Sequence, residues 1–310
     1  MSALEQAIYK TIAFFDLFTY PLTNIEVRRW LCGYQQPTTL LECVTALDRL
    51  VAQKIIVCRD GCYALPGSQQ YVDDRHMRYG YAHRKYTRAL RAAAVLRYWP
   101  PVLAIAVCNS LAYNNARQGS DIDVVIIARA GQLWLARLGA IVLTSLLGIR
   151  LHTAHKQDKI CLSFYVAHNG LDLQSVALPN DPYLAYWLAT LTPIYNHDII
   201  RTFQQANEWI QKYLPSTWYT DAPRRLVAPT GISTVLHKIW NGLEHRVVPA
   251  LEQLARRVQW RRLLPALREA AKQPEQTGVV ISPQMLKFHL RDMRQEFLTE
   301  WQKRVDRGIL

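Results

Sequence analysis

The chain has no long uncharged apolar run. Its most apolar segment, 138–149, stays uncharged for only twelve residues between Arg137 and Arg150. A membrane span needs about 20 such residues, so a buried helix is expected there and no membrane partner. No basic stretch followed by an apolar one opens the sequence, so no signal peptide is expected and a cytoplasmic location is. Internal repeats and low-complexity tracts are missing as well. Apolar types make up 50% and charged types 20% of the 310 residues. That composition excludes a disordered or collagen-like chain, and the length points to two or three domains with a sizeable core.

Cysteine is sparse and scattered, at 32, 43, 58, 62, 108 and 161. Cys58 and Cys62 have three residues between them, but no second cysteine or histidine pair completes a zinc site. Reduced, mostly buried thiols are expected. Acidic residues are also scarce, 24 against 37 Lys and Arg, for a net charge of +13. The imbalance is concentrated: residues 224–310 hold sixteen basic and eight acidic side chains. A basic protein commonly meets an anion such as a nucleic acid, a nucleotide's phosphates or a membrane surface, although a solvated helical tail carries the same charge pattern.

Residues 1–66 read as three helices and a hairpin. Apolar residues recur at helical spacing over 3–18, and Pro21 ends that run. Thr23-Asn24 caps a second helix with Glu26 in its first turn, and Thr38 or Thr39 opens a third. Arg59-Asp60-Gly61 between two β-prone runs signals a hairpin. Three helices followed by a hairpin is the order of a winged helix. Residues 67–98 read as a long connecting helix stopped by Pro100-Pro101; Arg78 and His83 within it match a ribonuclease spacing that is too loose to use.

The pattern then changes. Residues 102–107 and 122–128 are short, β-branched apolar runs, the mark of buried strands. A helix is expected over 133–147, a strand over 160–166, and a second over 171–176 joined to it through Ala167-His168-Asn169-Gly170. Strand, turn, strand, helix and further strands describe an α+β mixed sheet over 99–180. Residues 181–310 read as helical, with long amphipathic helices over 233–271 and 282–305 and kinks at Pro249 and Pro265.

Chemistry concentrates at Asn109-Ser110 and at Asp121-Ile122-Asp123. The first pair closes one strand and the second opens the next. Strand residues alternate faces, so Asp121 and Asp123 share a side. Two carboxylates at the head of a buried strand repel each other unless a cation lies between them. Oxygen ligands suit Mg²⁺ or Mn²⁺. A turn offering backbone N–H groups and a hydroxyl beside that cation is equipment for phosphoryl or nucleotidyl transfer.

Asn109-Ser110, ten intervening residues, then Asp121-Ile122-Asp123 resembles the signature of the polymerase-beta-like nucleotidyltransferase superfamily. The surrounding string is similar to its small prokaryotic members, some of which carry an N-terminal winged helix. The resemblance covers about 25 residues. It implies a nucleotidyltransferase core over 99–180, preceded by the winged helix and followed by the helical region. It also implies a metal-dependent transfer of a nucleoside monophosphate from an NTP to an acceptor hydroxyl, on a nucleic acid, a protein or a small molecule. Asp121 and Asp123 would hold Mg²⁺ or Mn²⁺ and act in catalysis. Asn109, Ser110, Arg117 and Ser120 would line the nucleotide site, with Ser110 on the triphosphate.

Two departures stand out. The family has Gly where this chain has Asn109. The family also has a third carboxylate on a later strand, where 159–165 offers Ser163 and no acid; Asp172 is the nearest candidate. An alternative is therefore a weak or inactive nucleotide-binding or regulatory protein with the winged helix as an interaction module. The helix expected to read DNA, 38–52, carries only Arg49 against Glu42 and Asp48, which suits packing or a protein partner better than phosphates. A basic stretch containing His152, His155, Lys156 and Lys159 reads as a surface loop.

Overall fold

Three capping boxes set the N-terminal helices in the computed structural model, which describes residues 1–150, 156–217, 225–243, 245–273 and 277–309. Ser2, Thr23 and Thr39 each accept a hydrogen bond from the backbone three residues on, and Glu5, Glu26 and Glu42 accept in return from the cap N–H. Each box satisfies two amides that a helix start leaves without partners. The helices are α1 (Ala3–Asp16), α2 (Asn24–Arg29) and α3 (Leu40–Ala52). Strand β1 (Leu22–Thr23) precedes α2, and β2 (Val57–Arg59) and β3 (Cys62–Ala64) follow α3, forming an antiparallel sheet in the order β1-β3-β2. Asp60 and Gly61 both have positive φ, as the tight hairpin between β2 and β3 requires.

Helix α4 (Tyr71–Leu96) leads into a second, six-stranded sheet. Strand β4 (Val102–Val107) and β5 (Ile122–Ala128) flank the single-turn α5 (Asn109–Ala112), and α6 (Leu133–Leu146) precedes β6 (Ile160–Ala167). The order is β7-β4-β5-β6-β9-β8, with β5 and β6 parallel and the other pairs antiparallel. Fold class is thus α+β with a mixed sheet. Its two faces are both covered. Ala104, Ala106, Val125, Ile127 and Val166 face the aromatic core shared with α1, and Ile105, Val107, Val124, Ile126 and Tyr165 face the core shared with α4 and α6. The period-two alternation of β4 and β5 decides which core each residue joins. Residues 1–66 therefore share a continuous core with the larger sheet.

Three strands lie in the region expected to be helical. After α7 (Pro182–Thr190), β7 (Thr192–Tyr195) pairs with β4 as an edge strand, where the missing N–H of Pro193 is tolerated. Helix α8 (His197–Gln205) follows. Strands β8 (Val279–Ile281) and β9 (Met285–Phe288) form a hairpin where a helix over 282–305 was expected. Pro283 cannot sit inside a helix, and the Ser282 hydroxyl accepts from Gln284 and Met285 N–H to close the turn. The helix there is α12 (Arg294–Ile309). The expected 233–271 helix is divided into α9 (Gly231–Leu243), α10 (Val248–Arg262) and α11 (Pro265–Ala270), with Pro249 in the first turn of α10 and Pro265 opening α11.

Residues 171–176 form no strand. The Leu173 N–H donates to Asn207 Oδ1, and Asn207 Nδ2 donates to the Leu171 carbonyl. One buried amide side chain thus takes the partners a β ladder would supply, and the place beside β6 goes to β9. Among the described residues no helix is long and apolar enough to cross a membrane.

Candidate active site

Asn109 is the second residue past β4, after Cys108, and opens α5. Its φ is +56°, in the left-handed region that glycine prefers and asparagine tolerates. The side chain that replaces glycine does not fill the turn. It points at β5 and donates from Nδ2 to Asp123 Oδ2 at 2.9 Å. The Cys108 N–H donates to the Asp123 carbonyl, so β4 and β5 hold the turn and the acid in register.

Asp121 and Asp123 flank Ile122, which is fully buried on the opposite face. Cys161 lies beside Asp123 in the parallel β5–β6 register. One carboxylate oxygen from each acid and the Cys161 Sγ all lie within 4.8 Å of one another. Burial, then the negative charge of Asp121, raises the Asp123 carboxyl above the usual carboxylate range, while the Asn109 hydrogen bond works against the rise. Burial and Asp123 push the Cys161 thiol up to about 12, so it stays protonated at neutral pH. The donor set fits a hard divalent cation: two clustered carboxylates, one of them destabilised by the other's charge, with a cation between them relieving that repulsion.

The loop before Asp121 is anchored from α4. Lys85 is fully buried, and its ammonium donates to the Gln118 and Ser120 carbonyls and to Asp158 Oδ1 at 2.7 Å. Arg84 and Arg88 also face Asp158. Arg78, of the loose ribonuclease spacing, bonds Thr19, Asp74 and Asn115 and so ties α4 to the N-terminal unit and to the turn after α5.

A cavity of about 220 Å³ opens on Asp123 and Asn109. Its other wall comes from the far end of the chain: Lys287 in β9, and His289, Arg291 and Asp292 beyond it. His289 Nε2 and Ser163 Oγ are 2.9 Å apart. Burial and the charge of Lys287 bring the His289 imidazole down to about 4, and burial and Arg294 bring the Lys287 ammonium down to about 8. Arg294 is buried against Asp181 and Asp292, both at 2.7 Å, and donates to the Val176 carbonyl. Those bonds fix the start of α12, and hence this wall, against the sheet. The cavity therefore sets Asp123, with Asp121 clustered beside it outside the lining, opposite the basic side chains of Lys287 and Arg291, an arrangement that suits an anion bridged by a cation.

A second cavity, of about 250 Å³, adjoins the first through Asn109, Tyr183, Trp187 and Phe297. Ser110 lines this one. Arg117 and Ser120 line neither cavity: Arg117 is exposed, and the Ser120 hydroxyl donates to the Arg117 carbonyl. Asp172 is spent locally, accepting from the Gln174 N–H. His152 and His155 lie outside the described residues.

Sequence reasoning missed the whole 287–292 wall. The alternation of Lys287 and His289 within an apolar run, next to the β-branched Val279-Val280-Ile281, was the available signal for a strand. Nothing local could have placed that strand beside β6. Compared with protein-family models, with curated proteins and with solved structures, the chain matches none.

Proposed function

We propose that the chain is a metal-dependent nucleotidyltransferase of the polymerase-beta-like type, moving a nucleoside monophosphate from an NTP to an acceptor hydroxyl. The observation that carries this reading is Asp123, clustered with Asp121 and one hydrogen bond from the Asn109-Ser110 turn, opening on a cavity faced by Lys287 and Arg291. An antiparallel β4–β5 pair flanking that turn, with β6 parallel to β5, supports it. Asn109 takes a positive φ, a conformation that glycine adopts readily, so the first departure fits the turn's backbone.

Asp121 and Asp123 would hold Mg²⁺ or Mn²⁺, which when bound neutralises phosphate charge and polarises the α-phosphoryl group. Lys287 and Arg291 bind phosphate oxygens, and Ser110 donates its hydroxyl to them. The acceptor oxygen attacks the α-phosphorus and forms a new P–O bond. The bond to the β-phosphate bridging oxygen breaks, and pyrophosphate leaves with the electron pair. The acceptor's proton passes to solvent, because burial and Lys287 leave the His289 imidazole, held against Ser163, too weakly basic to keep it. Residues 1–66 are read as a winged helix that packs within the protein, since Phe14, Phe15 and Trp30 lie in the core shared with the sheet.

A second reading is favoured by Cys161 and Ser163, which stand on β6 where the resemblance calls for an acid: a nucleotide-binding protein without transfer. Incubation with α-labelled and γ-labelled NTPs, Mn²⁺ and acceptors of each class separates the two. The enzyme reading expects α-label on the acceptor, γ-label in pyrophosphate, and loss of both in Asp121→Asn and Asp123→Asn. Saturable NTP binding with no label transfer supports the second reading. Transfer that survives both substitutions contradicts the role given to the acids.

A further inference from the structure

We infer that the second cavity is the seat of a nucleobase, a reading that rests on the nucleotidyltransferase proposal and extends it. The cavity is lined by Phe14, Phe18, Tyr113, Tyr183, Trp187 and Phe297, and its polar border is Asn109, Ser110 and Thr190. No ionisable carboxylate, ammonium, guanidinium or imidazole lines it, so beyond its Ser110 border it does not suit a phosphate chain or a cationic sugar. Thr190 is already committed, its hydroxyl donating to the Tyr186 carbonyl.

The rings come from three separately anchored elements, α1, α7 and α12, and from the turn after α5. Phe14, Phe15 and Tyr186 at the back are buried, with Phe14 stacked on Tyr186 at 4.1 Å. Phe18, Tyr113, Tyr183, Trp187 and Phe297 in front are only partly buried. Tyr183 and Phe297 stack on each other with ring centroids 5.6 Å apart and planes inclined by 6°. Large rings normally seek full burial, and five of them left partly open around one hollow form a stacking surface for another flat ring.

Position gives the hollow its occupant. It meets the acidic cavity at Asn109 and carries Ser110, the hydroxyl assigned to the triphosphate. A nucleotide with its phosphates between Asp123 and Lys287 extends its base across Asn109 into the aromatic rings. Stacking is tolerant of base identity, because every base has a π face, and few fixed polar atoms lie at the edge to tell bases apart. The site therefore takes purine and pyrimidine nucleotides with similar affinity.

Calorimetry on the full chain with Mn²⁺ tests this, comparing the four NTPs, ribose 5-triphosphate and inorganic tripolyphosphate. The expected result is that the NTPs bind within about 5-fold of one another and at least about 10-fold tighter than ribose triphosphate, the scale of one base stacked on aromatic side chains. Phe18→Leu, at a ring that lines only the second cavity, should remove most of that advantage and leave tripolyphosphate binding unchanged. Ribose triphosphate binding as tightly as the NTPs overturns the inference, and the wild-type comparison decides this even if the variant does not fold. So does an NTP advantage that a folded Phe18→Leu protein retains, or an aromatic alcohol that binds this cavity together with an NTP, which would make it an acceptor site. If tripolyphosphate binds and the base adds nothing, only this inference falls. If no triphosphate binds, the nucleotidyltransferase reading falls with it.

Discussion

Asn109 reaches from a left-handed backbone to the Asp123 carboxylate on β5, 2.9 Å away. One residue thus does two things that a glycine could not do together: it holds the turn and it orients an acid. The two contributions separate by substitution. Asn109→Gly keeps the backbone unstrained and loses only the hydrogen bond, for about 1 kcal/mol. Asn109→Ala loses the bond and also places a Cβ at positive φ, for about 2–3 kcal/mol in all. Urea unfolding of both variants checks the order. A glycine variant less stable than the alanine one contradicts it.

The acidic pair opposes folding when no cation is present. Burial and the charge of Asp121 raise the Asp123 carboxyl, so neutralising Asp121 relieves the protein. Asp121→Asn should raise the melting temperature of the metal-free protein by about 2 °C, the scale of a kcal/mol in a chain of this size. Wild type should gain about 3 kcal/mol from Mn²⁺ at a hundred times its dissociation constant, and the variant should gain almost none. Differential scanning fluorimetry with and without EDTA reads both effects.

Lys85 is the buried clamp on the approach to Asp121. Lys85→Met leaves Asp158 facing only Arg84 and Arg88 and leaves the Ser120 carbonyl without its ammonium donor. Removing one partner of a buried pair costs about 3–5 kcal/mol, and the two arginines reduce that to about 2–3 kcal/mol. Adding Asp158→Asn should recover part of the loss, because the uncompensated charge goes with it. Equal, additive losses from the two substitutions in denaturant unfolding count against a coupled pair.

His289 gives the protein a pH signature. Burial and Lys287 lower its folded-state value to about 4, below the ordinary histidine value of about 6.5. The unfolded chain therefore takes up the proton first. The stability this group contributes is complete above about pH 6.5 and is lost as pH falls toward 4, by about 2–3 kcal/mol over the window. His289→Gln should flatten that part of the stability profile. An unchanged slope in the variant assigns the pH dependence elsewhere.

Local chemistry made much of this molecule readable. The Thr23 and Thr39 caps, the Asp60-Gly61 hairpin, the strands β4 and β5 and the shared side of Asp121 and Asp123 each follow from a few adjacent residues. What escaped depends on distant ones. Whether 171–176 pairs as a strand is decided by Asn207, which takes both of its backbone partners. That β9 lies beside β6, and brings Lys287 and His289 to the acids, is decided by a contact across more than a hundred residues. Asn109 looked like a flaw in a motif because a residue name does not show its φ.

Electron paramagnetic resonance of Mn²⁺ titrated into the full chain tests the central claim most directly. The account predicts one bound ion per chain, with its signal lost on Asp123→Asn, weakened at least about 10-fold on Asp121→Asn, and altered by an added NTP. Mn²⁺ that binds equally to wild type and to both variants, or that binds none of them, contradicts it.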